Sequence, residues 1–207
     1  MRRSFADTRR WADDGTKLLL DTVAGLDEAE YARPSLLPGW TRGHVLAHVA
    51  ANADALGNLV RWAATGEPTP MYASPAERAA GIERGVRMPA AGLETWLYRS
   101  ATALAEASAA LSERQWAVEV VTAQGRTVPA TEVPWLRARE VYVHTVDLGL
   151  GVAFADLPPA YLEALCADVA AQRGGVPPVE GPLAERAAWL TGRPHRLAGA
   201  PELGAWL

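Results

Sequence analysis

Hydrophobic residues recur at helical spacing along most of the chain, and proline and glycine mark the places where this pattern breaks. The pattern predicts four long amphipathic helices, at about residues 5–26, 41–65, 91–112 and 131–148. Thr41 and Thr131 stand where N-caps of the second and fourth are expected. A shorter helix is predicted over residues 74–86, with Ser74 as N-cap and Pro75 at its first position.

The pattern changes to extended structure between the third and fourth long helices. Valines at 118, 120, 121 and 128 flank the sequence Gln124-Gly125-Arg126, which indicates either a short hairpin or an extended crossing loop. Four long amphipathic helices with one extended crossover are typical of a four-helix bundle. The predicted fold class is therefore mainly α.

The last quarter of the chain has a different organisation. A helix is predicted over residues 157–172, a glycine- and proline-rich stretch follows at 174–178, and a short helix is predicted at 182–190. We place a domain boundary near Gly151. This predicts a bundle domain over residues 1–150 and a short C-terminal domain over residues 151–207.

Composition and charge exclude several classes of protein. Of the 207 residues, 49% are hydrophobic and 21% are charged, which is a globular balance, and the net charge of −4 argues against a sequence-independent nucleic-acid binder. The single cysteine, Cys166, excludes an intramolecular disulfide and a cysteine-based zinc ribbon. No run of about 18 apolar residues predicts a membrane span, and the N-terminus lacks the apolar region of a signal peptide. A cytoplasmic protein with no membrane or nucleic-acid partner is expected.

Two helices carry pairs of potential metal ligands. His44 and His48 lie four residues apart on the second long helix, and Glu140 and His144 have the same spacing on the fourth. Each pair shares one helical face, and facing helices of a bundle can direct such pairs into a common interior site. Imidazole and carboxylate ligands suit Zn²⁺ or another divalent first-row ion. Histidines on helices are also common as core or surface residues with ordinary hydrogen bonds, so the spacing alone leaves both interpretations open.

The sequence around these pairs resembles the mycothiol-dependent maleylpyruvate isomerases, a family of DinB-like metalloenzymes. The resemblance is carried by residues 39–50 (GWTRGHVLAHVA), 52–59 (NADALGNL), 69–74 (TPMYAS) and 134–148 (PWLRAREVYVHTVDL). It covers about residues 10–170 and reappears at 188–193 (AWLTGR) and 205–207 (AWL).

The resemblance implies a DinB-like four-helix bundle that holds one zinc ion through His48, Glu140 and His144. Three protein ligands leave an open position, as in catalytic zinc sites. His44 then lies one helical turn from a ligand, where it is expected to line the pocket or support the ligands, with a purely structural role as the alternative. The implied thiol cosubstrate is mycothiol, the low-molecular-weight thiol of actinobacteria.

The reaction implied by the resemblance is a cis-trans isomerisation. Maleylpyruvate carries a cis double bond conjugated to carbonyl groups, so reversible addition of a thiolate allows rotation to fumarylpyruvate. The substrate carboxylates need cationic partners, and the resemblance points to Arg193 as the catalytic arginine. Tyr72 and Arg84 are predicted to contribute to cofactor binding.

Two alternatives to this function stay open at the level of sequence. The chain could be a mycothiol S-transferase acting on an electrophilic metabolite, or a non-catalytic DinB-like binding protein. The segment before residue 188 is shorter than the α/β C-terminal domain expected of the family, which predicts a reduced C-terminal appendage with its strands lost. The expected partners are a small-molecule substrate and the thiol, with the chain as a monomer or homodimer.

Overall fold

The structure is a computed structural model that describes residues 3–204 and Trp206, so Ala205 and Leu207 of the closing motif lie outside the described residues. The α-helices are α1 (Phe5–Val23), α2 (Glu28–Ala32), α3 (Arg42–Thr65), α4 (Pro75–Val86), α5 (Ala90–Ala109), α6 (Glu113–Trp116), α7 (Val133–Asp147), α8 (Pro159–Gln172) and α9 (Leu183–Leu190). The strands are β1 (Glu119–Val121) and β2 (Thr127–Pro129), and short 3-10 helices lie at Ala130–Glu132 and Phe154–Asp156.

The four long helices α1, α3, α5 and α7 form the predicted bundle. Helix α1 packs along α7, α3 packs along α5, and α3 also contacts α7, whereas α1 and α5 meet over only a short length. Gly15 permits the close approach of α1 to α7, because a Cβ at this position would lie 2.7 Å from the side chain of Val141. The bundle therefore has three closed sides and one open side, between α1 and α5.

The hairpin alternative for the crossover is confirmed. Strands β1 and β2 pair in antiparallel fashion, with Val120 opposite Val128 and both side chains buried. The turn between them places Gly125 at a φ of 75°, a left-handed conformation that glycine adopts without strain. The hairpin leads the chain from α6 back to the start of α7.

One predicted detail of the helices is wrong, and two short helices were missed. Thr131 is not the N-cap of the fourth long helix: it lies in the 3-10 helix Ala130–Glu132, and α7 begins at Val133. Helix α7 starts later than predicted because the backbone N–H of Ala130 still donates to the carbonyl of Val118, which holds the chain against the hairpin. The short helices α2 and α6 were not predicted, because one turn is too short to show periodicity.

The chain divides into two compact units. One is Phe5–Leu150, and the other runs from Gly151 onwards and includes Arg3 and Ser4. Within the second unit, α9 packs on α8 and on the 3-10 helix Phe154–Asp156. Residues 151–204 contain no strand. Within the described part of the chain, none of the helices combines the length and the hydropathy that a membrane crossing requires.

Candidate metal centre

Helices α3 and α7 bring His48, Glu140 and His144 together in the bundle. One ligand atom from each lies within 4.8 Å of the others. The carboxylate oxygen Oε2 of Glu140 lies 2.9 Å from Nε2 of His48 and 3.4 Å from Nε2 of His144. The three side chains are 6%, 14% and 14% exposed, in the order His48, Glu140, His144. The i,i+4 pair on α7 and one histidine of the pair on α3 thus face one another.

The donor set suits a divalent metal ion. Two imidazole nitrogens and one carboxylate oxygen converge at a nearly buried point, and such a mixed set is typical of catalytic Zn²⁺ sites. Among the described residues the cluster holds these three donors, so a tetrahedral ion would keep a fourth position for an exogenous ligand. His48, Glu140 and His144 are therefore the residues that would hold the metal.

Hydrogen bonding decides which groups in the cluster are charged. Burial alone would raise the pKa of Glu140, but the hydrogen bonds with His144 and His48 outweigh it and hold this pKa well below its usual range. Burial would likewise lower the pKa of His144, but hydrogen bonds with Asp147 and Glu140 raise it to about 9. Burial lowers the pKa of His48 despite its contact with Glu140. At neutral pH the metal-free cluster therefore contains an ionised Glu140, a protonated His144 and a neutral His48.

The zinc affinity of this cluster is expected to rise with pH up to about pH 9. Below the pKa of His144, which is about 9, a metal ion must displace the ring proton before it can bind. The apparent affinity then falls about tenfold for each pH unit over which one proton is displaced. Competition with a chromophoric chelator between about pH 7 and about pH 10 measures this slope, and an affinity that does not change over this range would contradict it.

Asp147 supports His144 from the side away from Glu140. Its Oδ2 lies 2.8 Å from Nδ1 of His144, and the Asp147 side chain is fully buried. A carboxylate in this position fixes the ring so that Nδ1–H donates to it and Nε2 faces the metal. No role for Asp147 was predicted from the sequence, although its position three residues after His144 on α7 was a usable signal.

His44 does not join the cluster, because it is used to cap α3. Its Nδ1 accepts from the backbone N–H of Thr41 at 3.2 Å, and its own backbone N–H lies 3.3 Å from the Thr41 hydroxyl. This reciprocal pair is a capping box with histidine in the usual place of glutamate. Its Nε2 faces Glu83 at 3.9 Å. Of the two roles expected for His44, these contacts support the structural one.

Arg78 and Tyr72 stand beside His48. Nη2 of Arg78 lies 3.4 Å from Nδ1 of His48, and the Arg78 guanidinium carbon lies 6.0 Å from the centre of the Tyr72 ring. Burial raises the pKa of Tyr72 and the Glu140 carboxylate adds to this, whereas Arg78 and Asn52 oppose it through charge and hydrogen bonds. Tyr72 therefore lies next to the candidate metal centre, together with Arg78 and Asn52, for which the sequence predicted no role.

Close packing of α4 on α3 explains why Arg78 reaches the cluster. A Cβ at Gly85 would lie 2.6 Å from the Cβ of Ala47, so only glycine permits this approach, directly before His48. Arg84, the arginine predicted to bind the cofactor, is instead 63% exposed and pairs with Glu77 at 3.9 Å. The structure therefore brings Arg78, and not Arg84, to His48.

Comparison with known proteins decides the family. A family model described as the mycothiol maleylpyruvate isomerase N-terminal domain matches residues 12–149, which contain all three candidate ligands. The chain belongs to the mycothiol-dependent maleylpyruvate isomerase family. No curated protein matches it significantly.

Two solved structures support this membership over the whole chain. The crystal structure of the mycothiol-dependent maleylpyruvate isomerase is 35% identical, with a TM-score of 0.92, and the match covers 99% of this chain and 98% of that one. A mutant of that isomerase, with one histidine replaced by alanine, matches at 35% identity and a TM-score of 0.91, with the same coverage. The C-terminal unit of this chain therefore lies within the matched region, and its expected reduction stays a prediction.

Arg193, the arginine suggested by resemblance to the isomerase family, lies just after α9 in the C-terminal unit. Its backbone N–H donates to the carbonyl of Ala188 at 2.8 Å, and its guanidinium donates to the carbonyl of Thr191. The guanidinium carbon lies 5.9 Å from the centre of the Trp206 ring. These contacts lie within its own unit, and its catalytic role stays a prediction.

Proposed function

We propose that this chain is a zinc- and mycothiol-dependent cis-trans isomerase that converts maleylpyruvate, or a close analogue, to fumarylpyruvate. The observation that supports it most is the convergence of His48, Glu140 and His144 inside a bundle that matches the isomerase family. A zinc ion held there would supply Lewis acidity, which lowers the pKa of a thiol so that its thiolate is available near neutral pH. The same cluster would support other thiol-dependent reactions as well. The identity of the substrate therefore needs a direct test.

The protein's own residues contribute position and charge. His48, Glu140 and His144 would hold the metal, and Asp147 keeps the His144 ring oriented through its bond to Nδ1. Their burial keeps bulk water away from the site, which strengthens each charge interaction there. Tyr72 lies beside this centre, where we propose that it lines the binding pocket for the thiol.

Arg78 is proposed to bind a carboxylate of the substrate or of the thiol. Without a bound metal His48 is neutral, and its Nδ1 is an acceptor 3.4 Å from the Arg78 guanidinium. An imidazole that binds a metal through Nε2 carries its hydrogen on Nδ1, so His48 can then no longer accept from Arg78. The guanidinium is left beside the metal centre with donors that match a carboxylate.

Arg78→Gln is expected to raise KM for the substrate or the thiol by about tenfold or more, because a charge-assisted hydrogen bond contributes about 1.5–3 kcal/mol. Steady-state kinetics with each reactant varied in turn identifies which of them Arg78 binds. Arg87→Gln is the matched control, since Arg87 is an exposed arginine at the end of α4. Equal KM values for both variants and the wild type would contradict this role.

The proposed reaction is tested with purified protein, zinc and mycothiol by following the ultraviolet absorption of maleylpyruvate. Formation of fumarylpyruvate with the thiol recovered unchanged is the expected result. A stable mycothiol adduct would instead indicate an S-transferase. Absence of thiol-dependent turnover in zinc-loaded protein, with maleylpyruvate or any other electrophile offered, would indicate a binding protein and overturn the proposal.

A further inference from the structure

A groove lies on the open side of the bundle, between α1 and α5. Its volume is about 560 Å³, within the range of roughly 300–1,000 Å³ that is usual for small-molecule sites. Every residue that lines it belongs to the unit Phe5–Leu150. The groove exists because α1 and α5 contact each other over only a short length, while each packs closely on another helix.

The deep part of the groove is apolar and its rim is charged. The lining residues that are buried and apolar include Ala12, Ala101, Leu104, Trp116 and Val133. The exposed rim carries Arg9, Lys17, Asp13 and Asp21, two positive and two negative side chains. Such a surface favours a ligand with an apolar body and gives no strong preference for charge at the entrance.

Arg137 places a buried cation at the floor of this groove. It lines the groove, yet the residue is only 3% exposed. Its Nη1 donates to the carbonyl of Val49 at 3.0 Å, whereas its Nη2 is buried and has no hydrogen-bond partner among the residues that the structure describes. A buried hydrogen-bond donor without an acceptor lowers the stability of the folded protein. The loss is larger for a guanidinium because it is charged.

The neighbouring carboxylates do not supply the missing acceptor. Asp54 and Glu140 act on Arg137 through charge alone, and burial lowers its pKa to about 10 in spite of them. Oδ2 of Asp54 accepts from the indole N–H of Trp96 at 2.7 Å, and Glu140 belongs to the metal cluster. An acceptor supplied by a ligand would therefore satisfy Nη2.

We propose that this groove is a second ligand site, separate from the metal centre, for a small organic acid with an apolar body. The carboxylate accepts from Nη2 of Arg137, and the apolar body packs against Leu104 and Trp116. Nη2 is covered from solvent, so the carboxylate reaches it through side-chain rotation at the floor. Rotamer changes of this kind are common on binding. Neither the metal nor mycothiol is required, so the site goes beyond the proposed function.

Decanoate is a suitable probe, with decanol as its uncharged counterpart. Isothermal titration calorimetry on the zinc-loaded protein is expected to show one decanoate per chain, bound at least tenfold more tightly than decanol. Ala105→Trp, which fills the groove from α5, is expected to abolish binding of both. Ala107→Trp is the matched control, because Ala107 is exposed on the same helix and is not among the residues that line the groove.

Two further variants separate the floor of the groove from the metal centre. Arg137→Met is expected to reduce decanoate affinity to that of decanol, with circular dichroism as the check on folding. If this buried substitution prevents folding, the comparison of Ala105→Trp with Ala107→Trp decides whether decanoate binds in the groove. His144→Ala is expected to retain decanoate binding, which excludes coordination of the carboxylate by zinc as the explanation.

Three results would overturn the proposal. The first is decanoate affinity that is unchanged in Ala105→Trp or lost in His144→Ala. The second is decanoate binding no tighter than decanol binding. The third is a wild-type dimer that Ala105→Trp converts to a monomer, because the groove would then be an interface between copies of the chain. None of these results depends on isomerase turnover, so the two proposals fail independently.

Discussion

Replacement of His48, Glu140 or His144 is expected to remove stoichiometric zinc from the protein while the bundle stays folded. The three donors lie within 4.8 Å of one another and no other described residue joins them, so the loss of one leaves two protein ligands. We expect zinc affinity to fall by more than about a hundredfold, beyond the effect of losing an outer hydrogen-bond partner. Metal analysis after dialysis, with circular dichroism on the same samples, measures both properties for His48→Ala, Glu140→Gln and His144→Ala.

His44→Ala is the matched control for these three variants. His44 lies one turn before His48 on the same helix, but its Nδ1 is engaged in the cap with Thr41. Loss of this cap is expected to cost about 1 kcal/mol of stability without loss of zinc. Full zinc occupancy in all three ligand variants would contradict the metal site. Loss of zinc from His44→Ala, in protein that remains folded, would show that His44 supports the site after all.

Asp147→Asn is expected to weaken zinc binding by about tenfold to a hundredfold without removing any ligand. The wild-type carboxylate accepts from Nδ1–H of His144 at 2.8 Å and is itself fully buried, so it holds the ring with Nε2 toward the metal. An amide in its place is a weaker acceptor and can present its NH₂ group to the ring. Affinity is best compared above about pH 9, the pKa of His144, where the ring proton no longer competes with the metal.

The same substitution also changes the metal-free protein. The pKa of His144 is raised from 6.5 to about 9, so its protonated form stabilises the fold fully below about pH 6.5. That contribution is lost as the pH rises through about 9. In Asp147→Asn the pKa of His144 is expected to fall, and with it this contribution to stability at neutral pH. Chemical denaturation across this pH range and NMR titration of His144 measure the two effects.

Glu83→Gln is the matched control for Asp147→Asn. It also removes a carboxylate that faces a histidine, but its partner is His44 at 3.9 Å and Glu83 is 56% exposed. An exposed pair of this kind contributes little to stability, so neither zinc affinity nor the titration of His144 is expected to change. Equal zinc affinity for Asp147→Asn and the wild type would show that Asp147 does not orient the ligand.

Local sequence signals identified the bundle helices because these signals act over a few residues. Hydrophobic spacing located four long helices, and Thr41 with Gly66 marks the observed start and end of α3. Thr131 failed as an N-cap because the hairpin still holds the chain at Ala130, which is a constraint from a strand partner. Helix ends that depend on such partners cannot be read from neighbouring residues alone.

The candidate ligands were only partly determined by spacing. An i,i+4 pair shows that two side chains share a helical face, and it does not show which of them faces the neighbouring helix. His44 and His48 are equivalent by this criterion, yet one caps the helix and the other meets Glu140. The choice depends on the rotation of α3 against α7, and this rotation is fixed by core packing.

The sequence by itself determined the long helices, the two ligand pairs and the absence of an intramolecular disulfide, because each depends on composition or on residues within one helical turn of each other. Tertiary structure alone decided that Arg78 and not Arg84 stands beside His48, since this requires the close contact of Gly85 with Ala47. It also decided that α1 and α5 leave a groove above Arg137. Both features depend on how closely particular helices approach each other. That distance is set by the packing of side chains that lie far apart in the sequence.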